Sequence, residues 1–264
     1  MRTPPLPRRP FVALDRDVAV IGFGAFKIGR VDHGKFVQPY ELPSDIAAAR
    51  LLKGVVDLGV DLIDTAPAYG LSESRIGTAL SARRAEIVLC TKTGEFRQDD
   101  ESVYDYSGRA TEASVCRSLV RLRAESLDVV FVHSNGRDLE VLEGTPVVET
   151  LDRLRRQGLL RVVGFSGTTV DGGLAAADDP RIDALMVEFN PHATEQGPVL
   201  ERAASLGKAV IVKKPLAQGR CSAAEAIPFI LARPEVTSVV VGTLELDHLA
   251  EACRLAMGVS SAAE

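Results

Sequence analysis

Gly59-Val60-Asp61-Leu62-Ile63-Asp64-Thr65-Ala66-Pro67-Ala68-Tyr69-Gly70-Leu71-Ser72-Glu73-Ser74-Arg75-Ile76-Gly77 is the stretch on which the fold turns. The apolar run Asp61 to Ile63 reads as a short buried strand, and a loop holding Asp64, Pro67, Tyr69 and Gly70 follows it. From Ser72 to Ala82 the apolar residues recur at helical spacing, so the stretch is one complete strand-loop-helix unit.

The same unit repeats on both sides of it. Further strands are predicted at Val18 to Gly22, Ile87 to Thr91, Asp128 to Val132, Arg161 to Phe165, Ala184 to Val187, Ala209 to Val212 and Ser238 to Val241. Helices are predicted at Ser44 to Asp57 with Ser44 as N-cap, Thr111 to Arg123, Thr145 to Gln157, Thr168 to Ala176, Thr194 to Ser205, Ala223 to Ala232 and Leu246 to Met257. Gly158 and Gly207 stand just past helix ends, where a left-handed backbone is needed. Eight strands, each followed by a helix and with no linker between them, predict an α/β fold: a single-domain (β/α)8 TIM barrel over residues 1–264, with a Pro-rich lead (1–16) and a short C-terminal tail.

Hydrophobic residues make up 46% and charged residues 25% of the 264, ample apolar surface for one large core. The net charge of −5 and the lack of a long basic run count against a nucleic-acid or anionic-membrane surface, leaving a small molecule as the expected partner. Cys90, Cys116, Cys221 and Cys253 form no Cys-x-x-Cys pair; they read as buried reduced thiols, and no metal site is expected. Met1 to Pro10 has four prolines and no apolar h-region, and no run of ~18 apolar residues occurs, so the expectation is a soluble cytoplasmic protein. Oligomeric state is not legible.

In such a barrel the chemistry sits at the C-terminal ends of the strands. Asp64 follows one strand, Lys92 closes the next, His133 follows the next, and Tyr69 lies in the loop after Asp64. Singly, each residue is better explained as a surface lysine, a core histidine or a chance Asp-x-x-x-x-Tyr. Together, at successive strand ends, they present an acid, an amine, an imidazole and a phenol. The stretch quoted first resembles the aldo-keto reductase signature, and that resemblance implies a carbonyl that receives hydride, develops alkoxide character and needs a proton donor. Tyr69 is the candidate acid, Lys92 a charge that lowers the phenol's pKa, Asp64 the group that keeps Lys92 charged, and His133 a hydrogen-bond partner of the carbonyl oxygen.

The stretch quoted first, with Val88-Leu-Cys-Thr-Lys92, Asp128-Val-Val-Phe-Val-His133 and Gly22-Phe-Gly24, resembles the aldo-keto reductase superfamily over nearly the whole chain. The resemblance implies an NAD(P)H-dependent oxidoreductase that reduces an aldehyde or ketone. It implies NADPH, with NADH possible, held along Gly24, Ala25 and Phe26 after the first strand, Ser166 and Gly167 after the fifth, Met186 on the sixth, the segment Lys213, Lys214, Pro215, Leu216, Gln218 and Gly219 after the seventh, and Gly242, Thr243 and His248 after the eighth.

The chain departs from the family at the nicotinamide, where Gly167 replaces an asparagine, Met186 a glutamine and Lys213 a stacking aromatic. Basic residues that would grip a 2′-phosphate are replaced by Gly242, Thr243 and His248. Lys213 or Lys214, with backbone N–H groups near Gly219 and Gly242, is the expected pyrophosphate site. A Rossmann reading of Gly22-Phe-Gly24 fails because Lys27 stands where its third glycine belongs. Phe26, Phe96, Tyr104 and Tyr106 line the substrate pocket or simply pack, and His192 has no expected role. The long C-terminal loop of many members is missing, so an open or oligomer-completed pocket is expected. The alternative function is a non-redox lyase or regulatory protein on the same barrel, with weak nicotinamide binding.

Overall fold

The computed structural model describes residues 5–32, 36–99 and 101–261, with side chains to 259. Met1 to Pro4 of the Pro-rich lead lie outside the described residues. Twelve strands and nine α-helices alternate along these residues. An antiparallel hairpin comes first, β1 (Arg8–Phe11) and β2 (Arg16–Ala19). Eight parallel strands then close into a barrel: β3 (Ile21–Gly24), β4 (Leu62–Asp64), β5 (Val88–Thr93), β8 (Leu127–His133), β9 (Leu160–Ser166), β10 (Ala184–Glu188), β11 (Ala209–Lys213) and β12 (Ser238–Val241). Pairing of Val239 with Ile21 and of Val241 with Phe23 seals the ring. A second hairpin, β6 (Glu95–Gln98) with β7 (Glu101–Tyr104), rises from the loop after β5.

The outer helices are α1 (Asp45–Asp57), α2 (Ser72–Leu80), α3 (Gly108–Leu122), α4 (Asp138–Gly144), α5 (Val147–Arg156), α6 (Val170–Asp178), α7 (Gly197–Ser205), α8 (Ala223–Leu231) and α9 (Leu246–Ser261). Ser44 caps α1 by accepting from the Ala47 amide at 3.2 Å. Gly158 and Gly207 adopt φ of +79° and +71° where α5 and α7 end.

Four details correct the sequence reading. The run Val18 to Gly22 is not one strand: it divides between the β2 edge of the hairpin and β3 of the barrel. The chain reverses here because Asp15, between β1 and β2, takes a left-handed turn, and a chain of β-forming residues gives no sign of which strand joins the ring. The helix expected over Thr145 to Gln157 is preceded by an additional helix, α4. The part of the expected C-terminal tail up to Ser261 is helix, a continuation of α9, and 262–264 lie outside the described residues. Cys116 is exposed on α3, whereas Cys90, Cys221 and Cys253 are buried.

Inside the ring, Leu62, Val88, Cys90, Val129, Phe131, Val162, Ala184, Met186, Ala209, Ile211 and Val240 form a closed apolar interior, and Phe11, Leu14 and Val18 of the hairpin plug its N-terminal end. Asp61 fastens that plug: it accepts from the Ala19 amide at 2.9 Å and pairs with Arg8 and Arg16. A larger apolar layer between strands and helices makes up the rest of the core. Side chains alternate in direction along a strand, so the inward row continues upward by steps of two. One step beyond Leu62, Cys90, Phe131 and Ile211 lie Asp64, Lys92, His133 and Lys213, all at the C-terminal mouth.

Candidate active site

Asp64 and Lys92 meet because β4 and β5 are neighbours in the barrel and both residues belong to the inward row. Lys92 is 2% exposed, so its ammonium must find partners within the protein. It donates to Asp64 Oδ1 at 2.6 Å and to the Thr65 carbonyl at 2.9 Å, and its third hydrogen bond goes to Tyr69. Burial alone would lower its pKa, but Asp64 and Tyr69 reverse the sign and hold it above the ordinary lysine value.

Tyr69 ends the one-turn helix Pro67–Tyr69 above β4. Its ring centroid lies 4.9 Å from Lys92 Nζ, 6.3 Å from the His133 ring and 5.0 Å from the Phe26 ring. Burial raises the phenol's pKa, Lys92 opposes this, and Asp64 and Glu95 add to the rise. The expected net lowering by Lys92 is therefore corrected: in this environment desolvation outweighs the ammonium, and the group at neutral pH is the protonated phenol.

His133 ends β8 with its side chain 19% exposed toward the mouth. Its Nδ1 lies 2.7 Å from Glu95 Oε2, a close contact whose direction falls short of a well-aligned hydrogen bond. Glu95 was missed in the sequence. Its signal was Gly94 directly after the Lys92 strand, a left-handed residue (φ +101°) that turns the chain back over the mouth. Burial lowers the pKa of His133, Glu95 works against that, and Lys92 and Lys213 work with it.

The expected cofactor residues lie on the other side of the mouth. Gly24 ends β3, the Ala25 amide donates to the Asp64 carbonyl at 2.8 Å, and Phe26 packs edge-on against Tyr69. Ser166 ends β9, and Lys213 reaches it: Nζ is 3.0 Å from Ser166 Oγ and donates to the Gly167 carbonyl at 2.8 Å. Lys213 thus sits beside Ser166 and Gly167, the residues expected to face the carboxamide. Burial, then the charges of Lys214 and Lys92, bring its pKa down to about 7. Met186 is part of the barrel's apolar interior and faces Ile211 across the pairing, one step below the polar row.

Lys214, Ala217, Gln218 and Gly219 all have positive φ, and Pro215 is buried between them. Three non-glycine residues held left-handed in one short loop store backbone strain, and the loop closes on itself, with the Ala217 and Gly219 amides donating to the Lys214 and Leu216 carbonyls at 3.0 and 2.8 Å. Lys214 itself is exposed and paired with Glu188 at 2.5 Å. After β12, Gly242 is exposed and Thr243 accepts from the Glu245 amide at 3.0 Å. His248 lies exposed on α9.

Tyr104 is 39% exposed and stacks on Tyr106, whose hydroxyl donates to the His133 carbonyl at 2.9 Å. His192, Cys221 and Glu225 bring nitrogen, sulfur and oxygen within 4.8 Å of one another at the rim, a closeness already met by the 3.3 Å contact of the Cys221 thiol with Glu225. On the opposite face a polar cleft is lined by Arg8, Arg16 and Asp61, the same charges that fasten the hairpin.

Asp64, Lys92 and Tyr69, linked by hydrogen bonds and with His133 beside them, stand at the C-terminal mouth of a closed parallel barrel, the face where such barrels carry their chemistry. The profile of the Aldo/keto reductase family matches residues 20–228, and the chain belongs to that family. It is 24% identical to the uncharacterized oxidoreductase YqkF of Bacillus subtilis, over 92% of this chain and 89% of that protein. It is 26% identical to a Pseudomonas D-threo-aldose 1-dehydrogenase, with 64% of this chain and 56% of that protein covered. Among solved structures, PA4992 of Pseudomonas aeruginosa, a candidate aldo-keto reductase, superposes with a TM-score of 0.88 at 39% identity, covering 96% of both chains. The protein is thus an oxidoreductase of a family that uses nicotinamide cofactors on small carbonyl compounds. The lyase or regulatory alternative is set aside. Among the described residues no helix is long and apolar enough to cross a membrane.

Proposed function

We propose that this protein reduces the carbonyl of a small aldehyde or ketone to an alcohol, with NADPH as cofactor and NADH accepted. The observation that carries this reading is the linked set Asp64, Lys92 and Tyr69, joined by hydrogen bonds at the barrel mouth with His133 beside it. When bound, the nicotinamide supplies the hydride. Tyr69 gives its proton to the oxygen as negative charge grows there, and Lys92, kept charged by Asp64, stabilises the phenolate left behind. His133 orients the oxygen through its ring nitrogen.

The residues on the cofactor side suit such a group. Ser166 Oγ and Lys213 Nζ are donors for a carboxamide oxygen, and the exposed main chain at Gly242 beside β12 is open to a phosphate. The cysteines carry no disulfide, which suits a reducing compartment, and we place the enzyme in the cytoplasm. The test is a carbonyl panel followed at 340 nm with each cofactor. It should include aldoses, because the partial matches include D-threo-aldose 1-dehydrogenase and yeast D-arabinose 1-dehydrogenase. Oxidation or reduction of no carbonyl or sugar with either cofactor would overturn the reading.

A further inference from the structure

Two side chains from the β6–β7 region converge on His133 and on nothing else in the mouth so directly. Tyr106, just past β7, holds the His133 main chain through its carbonyl at 2.9 Å, and Glu95 sets a carboxylate oxygen 2.7 Å from the ring's Nδ1. The other oxygen of Glu95 accepts from Ser102 Oγ at 2.6 Å, so the carboxylate is braced from within its own hairpin. A Cβ on Gly94 would fall 2.4 Å from the Tyr106 ring, so the glycine allows both contacts to be made at once.

We propose that Glu95 is a positioning residue for the reduction: it fixes the His133 ring from the Nδ1 side and favours the imidazolium, the form whose Nε2–H can donate to the substrate oxygen. The proposal rests on the reading that His133 faces the carbonyl oxygen. A neutral imidazole carries one proton, and the nitrogen opposite a carboxylate keeps it. In a neutral ring with its proton on Nδ1, the nitrogen 2.7 Å from Glu95 Oε2, Nε2 is an acceptor and offers nothing to a carbonyl oxygen. It becomes a donor only as the imidazolium, the form a carboxylate at this distance also favours.

The charged groups around the ring set the balance. Lys92 from β5 and Lys213 from β11 oppose the imidazolium, Asp64 is spent on Lys92, and Tyr69 from the turn after β4 is a neutral phenol. Tyr106 is hydrogen-bonded to the His133 main-chain carbonyl. Among the described residues Glu95 is the carboxylate in contact with the ring. Burial and the two ammonium groups already hold the His133 pKa below the ordinary histidine value, and loss of Glu95 would lower it further.

The chain has four histidines, so long-range proton–nitrogen spectra of the full-length protein labelled at histidine can resolve His133, assigned by its loss in His133→Gln. In the wild type the neutral ring should carry its proton on Nδ1. Glu95→Gln should lower the His133 pKa by about one unit or more, shift the kcat–pH profile the same way, and leave the NADPH dissociation constant within about twofold. Ser102→Ala, which loosens Glu95 without removing its charge, should move the pKa in the same direction by less. A ring protonated on Nε2 in the wild type, or a His133 pKa unmoved by Glu95→Gln, overturns the proposal. If Glu95→Gln does not fold, Glu95→Asp and Ser102→Ala decide by the same pKa. The spectra need no substrate, so a protein that turns over no carbonyl would sink the functional reading while the His133–Glu95 result stood separately.

Discussion

Lys92 is the last residue but one of β5 and Lys213 closes β11, on opposite sides of one ring and on the same inward row, yet their surroundings give them opposite characters. Lys92 has a carboxylate at 2.6 Å, and its pKa is held above the ordinary lysine value. Lys213 touches only a hydroxyl and a carbonyl, with two other lysines nearby, and its pKa falls to about 7. Burial penalises both ammonium groups, and what differs is the counter-charge. The β4–β5–β8 side of the mouth is therefore a fixed, charge-balanced device suited to proton donation. The β9–β12 side carries a lysine whose charge changes near neutral pH, beside residues expected to hold the cofactor.

If the two sides divide the work in this way, changes on the first should cut turnover and spare cofactor binding. The largest effect belongs to Tyr69→Phe, which removes the donated proton and should lower carbonyl reduction by about 10²- to 10⁴-fold with the cofactor dissociation constant nearly unchanged. Retention of more than a tenth of wild-type activity would break the assignment. Lys92→Met should come next. It leaves Asp64 buried without its partner, a change that costs about 3 to 5 kcal/mol, and it removes the charge opposing the rise in the Tyr69 pKa. Lower thermal stability and a basic limb of the kcat–pH profile shifted upward are expected, and an unchanged profile would separate Lys92 from the proton.

On the other side the expected effect is smaller and has a distinct pH signature. Because the folded-state pKa of Lys213 lies at about 7, below an unfolded value near ~10.4, the unfolded chain binds the extra proton between those limits. Native stability attributable to this group should therefore rise from about pH 7 to pH 10 and be at its lowest below pH 7. Lys213→Met should flatten that rise in denaturant melts taken across the range. The wild-type dissociation constant for NADH should also weaken as pH climbs through about 7, while the variant's stays level. A wild type whose stability and affinity are both flat from pH 6 to 9 would show that Lys213 keeps its charge, and the contrast with Lys92 would dissolve.

The barrel was legible because each βα unit carries its own period, and because the inward row runs without interruption into Asp64, Lys92 and His133. Neither hairpin was. The β1–β2 hairpin is written in the same residues as a barrel strand, and only the tertiary closure at β12 decides that Ile21, not Val18, joins the ring. Glu95 was invisible for a related reason: a carboxylate following a glycine carries no periodic signal, and its approach to His133 depends on the reversal at Gly94. The pKa of Tyr69 was misjudged in direction because spacing reveals a neighbouring charge, whereas desolvation depends on everything packed around the ring.

The smallest effect expected concerns the choice between the two cofactors, and here the cofactor side of the mouth is weakest. Gly242 and Thr243 offer no cation after β12, and the next charged groups along the chain are Glu245 and Asp247, with His248 exposed beside them. Each charge-assisted hydrogen bond that a 2′-phosphate would otherwise gain is worth about 1.5 to 3 kcal/mol, so NADPH should bind no more than about tenfold better than NADH. Lys214 adds little, because its ammonium is already paired with Glu188 in an exposed contact of a kind worth roughly 0.2 to 1 kcal/mol. Lys213→Ala should weaken both cofactors alike, since Lys213 lies next to Ser166 and Gly167 rather than near β12. Lys214→Ala should leave both nearly as they are, and raising the ionic strength should shrink whatever preference for NADPH exists. A preference of a thousandfold that persists in high salt would mean that a buried cation grips the 2′-phosphate, and none of the residues after β12 is placed to be one.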